Sequence, residues 1–259
     1  MYLKKFVALY VAAFVAVLVV TQVVMPRISP PSTDKSAGFV GPMLSQFLPI
    51  LVLFVVFVTL LSKGRKHLAV VTEAERLLQQ GRNAQARELF QQYRQQNPKH
   101  GFGAIKLGVA HSRLWKLNEA LEELHAGQAL GAGDLASVAF EHEALVKAVL
   151  GDVAGARAAL QSVPAGRGDP RYATLIAAVL EVRAGDFAGA RSRLGSFDAK
   201  QLPGVLGAFV RALEAWAIEA STGELRHVDR VALFGETGPE PLRTAWPEFV
   251  AFVERAPLS

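Results

Sequence analysis

Four short segments recur down the chain at spacings of 34, 36 and 34 residues: Gly81-Arg-Asn-Ala-Gln-Ala86, Trp115-Lys-Leu-Asn-Glu-Ala120, Gly151-Asp-Val-Ala-Gly-Ala156 and Gly185-Asp-Phe-Ala-Gly-Ala190. The last two share the string GD-x-AGAR. A period of this length marks a supersecondary unit that cannot bury its apolar face alone and stacks on copies of itself. Fixed positions say which unit it is. Seven residues before each turn comes a small side chain (Ala74, Gly108, Ala144, Ala178), and five after it an alanine (Ala86, Ala120, Ala156, Ala190). Nine after it comes a large apolar residue: Phe90, Leu124, Leu160 and Leu194. Small residues let two antiparallel helices approach closely, and the large one fills the space against the next unit. The predicted fold class is all-α, with about four helical hairpins stacked as an α-solenoid.

Apolar periodicity predicts helix pairs at 68–80 with 84–97, 102–114 with 118–130, 136–149 with 153–162, and 171–184 with 188–196. Further helices are expected at 203–220, 224–234 and 242–255. Leu206, Phe209, Val210, Leu213, Trp216 and Ala217 recur at helical spacing, as a C-terminal cap over the last unit requires. Pro170 and Pro203 are expected to open helices. Two extra residues around Gly131-Ala-Gly133 predict a local irregularity in the third unit.

These positions resemble the tetratricopeptide repeat family, most closely at Gly81, Ala86, Phe90, Tyr93 and Pro98, then Gly108 and Ala120. The resemblance covers 67–200. Units three and four lack the aromatic and the closing proline, so they are better described as similar to the family than as full matches. In that family the first helices of successive repeats line a groove that holds a partner peptide or helix. Carried over residue by residue, the resemblance implies a candidate partner groove of Phe102, Ile105, Val109, Leu145, Tyr172, Leu175, Val179 and Val182, with Arg113 and Arg183 near the ends of their helices. The competing reading places the same residues in the core, between helices or under the C-terminal cap.

Two uncharged apolar runs, 6–25 and 43–61, precede the repeats. At about 1.5 Å per helical residue each is long enough to cross a hydrocarbon core of roughly 30 Å. They predict a transmembrane hairpin over 1–66, followed by repeats at 67–200 and a cap at 201–259. The first run is expected to be retained, because it is long for a signal peptide and no small-x-small site precedes Pro26. Lys4 and Lys5 precede the first span, and Lys63, Arg65 and Lys66 follow the second. That places both termini and the repeats in the cytoplasm, with the chain multi-pass in a cell inner membrane.

The pI near 9.6 does not indicate nucleic acid. Seven of the basic residues lie in 1–66 against Asp34 alone, so with a whole-chain charge of +5 the remainder is close to neutral. It has no basic face for phosphate neutralisation. There are no cysteines, hence no disulfide, thiolate metal site or cysteine nucleophile. Six histidines are scattered without an i,i+4 pair, and His111 with His125 alone makes a poor metal site. Glu141-His142-Glu143 cannot converge on one substrate, because adjacent helical positions point about 100° apart. No catalytic, metal or cofactor residues are assigned, and no cofactor is expected.

The expected function is that of an inner-membrane adaptor or scaffold, not an enzyme. Its partners would be a protein segment and the lipid bilayer. The alternative is an accessory subunit of a transporter, secretion machine or membrane enzyme in which the hairpin is the working part. The absence of ionisable residues from both runs argues against an ion path within this chain.

Overall fold

The computed structural model describes residues 69–199, 202 and 204–258. The runs at 6–25 and 43–61, the flanking basic cluster and Pro203 lie outside them. Among the described residues no helix is long and apolar enough to cross a membrane.

The described residues form twelve α-helices and no strand. Eight make four hairpins: α1 (69–79) with α2 (Asn83–Gln96), α3 (Gly101–Arg113) with α4 (Leu117–Ala129), α5 (Ala136–Leu150) with α6 (Val153–Gln161), and α7 (Pro170–Arg183) with α8 (Phe187–Gly195). Each lies within about two residues of its expected place.

The repeat turns close alike. Gly81, Trp115, Gly151 and Gly185 all adopt positive φ. In each, the following N–H bonds the carbonyl five residues back: Arg82 to Leu77, Lys116 to His111, Asp152 to Lys147 and Asp186 to Glu181. This satisfies carbonyls that a helix C-terminus otherwise leaves unpaired.

GD-x-AGAR then reads letter by letter. The first glycine takes the left-handed turn. Asp152 and Asp186 cap the next helix by accepting from Gly155 and Gly189 N–H, at 2.8 and 2.9 Å. A Cβ on either of those glycines would lie 2.0 or 2.3 Å from the capping carboxylate, so the second glycine is what lets the cap close. Ala156 and Ala190 are wholly buried at the helix contact. Replacing either by leucine is expected to cost about 1–3 kcal/mol through overpacking. Arg157→Ala, at an exposed neighbour, should stay within about 0.5 kcal/mol. Urea unfolding of the three variants checks the helical register.

The extra residues of the third unit form a 3-10 turn, Gly133–Leu135, that runs directly into α5. Asp169 caps α7 by accepting from Arg171 N–H, and Pro170 is the first residue of that helix, as expected.

The C-terminal region departs from expectation in two places. After α9 (Val205–Thr222), Gly223 turns left-handed and ends the helix. The chain then runs without regular structure to Val228, which pairs with Leu258 in an isolated parallel bridge, and within 224–234 the helix covers Arg230–Phe234 (α10). The helix expected at 242–255 is two: α11 (Glu240–Ala245) and α12 (Pro247–Arg255). Pro247 drives the preceding Trp246 out of the helical region, to φ −149°, ψ 72°.

An aromatic cluster ties the cap together. Trp216 stacks on Phe252 at 5.8 Å and meets Trp246 edge-on at 5.7 Å, while Phe209 bridges Phe249 at 5.4 Å and Trp115 at 4.9 Å.

Candidate functional site

The residues of the candidate groove divide by burial. Ile105 and Val109 are buried in the core of the first two hairpins. Leu145, Leu175, Val179 and Val182 are buried in one core with Leu206, Phe209, Val210 and Leu213 of α9. Helix α9 packs chiefly on the last hairpin, α7 with α8, and its Phe209 reaches Trp115 at the second turn. Phe102 is half-buried, edge-on to Tyr93 at 5.7 Å with the Lys106 ammonium 5.7 Å above its ring. Arg113, Tyr172 and Arg183 are half-buried, each held in polar contacts.

Those contacts form a thread through the first helices of all four hairpins. Arg113 donates to the Leu78 carbonyl at the end of α1, 2.9 Å away, and its positive charge lies near the Tyr172 hydroxyl on α7. Tyr172 lies 3.0 Å from His142 Nε2 on α5, and His142 Nδ1 lies 3.0 Å from Ser112 Oγ on α3. Ser112 donates to the Val109 carbonyl at 2.8 Å. A carbonyl only accepts, so the chain that ends on Val109 has one direction. Tyr172 donates to Nε2, His142 carries its proton on Nδ1, and Ser112 accepts it. Ser112, His142 and Tyr172 then each have a partner, as a buried polar network requires.

Burial, reinforced by the positive charges of Arg113 and Lys106, lowers the pKa of His142 to about 3. Unfolded, the same histidine titrates near its model value of 6.5. The folded chain therefore binds fewer protons between those values, and stability falls as pH falls from about 6.5 towards 3, with a slope approaching 1.4 kcal/mol per pH unit from this residue. His142→Asn should remove that part of the slope in denaturant unfolding at pH 7, 6 and 5. Identical slopes would mean His142 is not buried neutral.

The neighbours of His142 look elsewhere, as their adjacency in a helix requires. Glu141 accepts from the Asp169 backbone N–H, and burial raises its pKa. Glu143 is also disfavoured by burial, but Gln128, Lys147 and His125 all hydrogen-bond it and hold its carboxyl below the usual range. The three residues tie α5 to three different elements. Among the described residues no group of three or more His, Asp or Glu could hold a metal ion.

Arg113 and Arg183 occupy the same place in their hairpins, two residues before the turn. Each reaches the last turn of the preceding hairpin's first helix, Arg113 at Leu78 and Arg183 at Val149. They staple neighbouring repeats. The sequence signal for this was an arginine at equivalent turn-relative positions of units two and four.

Against Arg113 lies a cleft of about 190 Å³, between the first repeat turn and the cap. Gly81, Asn83 and Leu114 line one side, and Val205, Val231 and Phe234 the other. Sequence reading missed this cleft because it depends on the chain's C-terminal helices returning to the first two turns. The Trp115 indole N–H, 2.8 Å from the Leu233 carbonyl, fixes that return.

Compared with known proteins, the chain matches no family model, no curated protein and no solved structure.

Proposed function

We propose that this chain is a membrane-anchored, tetratricopeptide-like adaptor that holds a protein partner at the cytoplasmic face of a cell inner membrane. The observation that carries the reading is the array of four hairpins whose turns close by the same hydrogen bond at 34- to 36-residue spacing. A stack of this kind is an extended scaffold whose surfaces serve binding. The anchor rests on the two uncharged apolar runs and on the basic residues outside them. The partner is a protein segment, and the bilayer is the second surface. Nucleic acid is not a partner of a repeat region so close to neutral.

Because the chain has no cysteine, topology is tested without background labelling. Ser32→Cys should react with an impermeant maleimide from outside intact spheroplasts, and Glu224→Cys only after permeabilisation. Glu224 is exposed in the folded domain, so labelling of both sites from the same side refutes the hairpin anchor.

A further inference from the structure

Arg183 shows what an arginine at this turn-relative position takes from a second chain segment. Beyond its bond to Val149, it donates to the Ala245 carbonyl at 2.8 Å, and its guanidinium lies 4.1 Å from the centre of the Trp246 ring. The α11–α12 junction thus supplies a backbone acceptor followed by an aromatic face. Arg113, its equivalent two units earlier, has the Leu78 carbonyl. Among the described residues no ring is stacked on it. Instead it borders the open cleft of about 190 Å³. A cavity of about 150 Å³ accommodates a benzene ring.

We propose that this cleft is the adaptor's docking site, and that its occupant is an extended peptide segment of a different protein, presenting a backbone carbonyl followed by an aromatic side chain. The carbonyl accepts from Arg113 and the ring lies on its guanidinium, reproducing what Ala245 and Trp246 do at Arg183. The proposal rests on the adaptor reading and names the chemistry of its partner. Apolar walls from Leu114, Val205, Val231 and Phe234 suit a ring and give nothing to a bare anion, which Glu236 at the same cleft repels. Val231 is 83% exposed and extends the apolar surface beyond the cleft for the residue that follows. The occupant is not this chain's own junction, because Trp246 is 2% exposed and already committed to Arg183.

The probe is a fluorescent synthetic peptide, Arg-Thr-Ala-Trp-Pro-Glu, copied from the chain's own junction and titrated onto the full chain in mild detergent. One peptide is expected to bind per chain. Replacing its tryptophan by alanine should weaken binding about tenfold, as should Arg113→Gln or Val231→Glu in the chain. Val231 is exposed, so Val231→Glu decides the matter even if Arg113→Gln impairs folding. No saturable binding overturns the site, and so does binding that both chain variants leave unchanged, which would put the peptide elsewhere, as in displacement of Trp246 from Arg183. A chain that ignores the peptide yet retains a stoichiometric protein partner loses this site while keeping the adaptor reading.

Discussion

Exchanging Val109 and Val179 for glutamate is expected to abolish the folded repeat domain. Both side chains are buried, Val109 between the first two hairpins and Val179 in the core shared with α9. The arginines one turn further on, Arg113 and Arg183, are already donating to backbone carbonyls, and a buried polar group without a free partner costs several kcal/mol, more if it stays ionised. Two such groups remove a large part of a stability that is typically about 5–15 kcal/mol. Hydrogen exchange across residues 69–258 of the full chain should show protection lost throughout α1 to α9. A double variant that keeps native protection would return these residues to an open groove.

The second large effect falls on Trp115, the single non-glycine among the described residues at positive φ. An L-residue held left-handed is strained by about 1–2 kcal/mol. The strain persists because the indole is buried, bonded to the Leu233 carbonyl and edge-on to Phe209, so this turn anchors the cap to the second hairpin. Trp115→Ala should cost about 3–5 kcal/mol, since it empties the site and keeps the strain. Trp115→Gly empties it too but relieves the strain, and should be the less damaging by about 1 kcal/mol. Equilibrium unfolding ranks the three, and alanine proving better than glycine would show that residue 115 does not need a left-handed turn.

The hairpins were legible because their chemistry is local. A left-handed glycine, a capping aspartate and an alanine contact all lie within about six residues, and their recurrence fixed the register. The choice between groove and core was not legible, because periodicity reports which face of α3 or α7 is apolar and nothing about what covers it. Leu206, Phe209 and Leu213 of α9 are buried in one core with Leu175 and Val179. The segment at 224–234 has apolar residues at helical spacing, but Val228 finds its partner 30 residues away at Leu258. Ser112, His142 and Tyr172 are 30 residues apart in turn, and their thread follows from superhelical stacking that no single repeat encodes. Trp115 was the one local hint of the cap's return, standing where the other three turns have glycine.

The central claim is that the repeat domain, and not the apolar hairpin, holds a protein partner. Native mass spectrometry of the full chain and of a version lacking residues 67–259, both released from membranes in mild detergent, tests it most directly. The account predicts a stoichiometric protein partner on the full chain that is absent from the truncated one. A partner retained by the hairpin alone, or a full chain recovered free of any other protein, would contradict it.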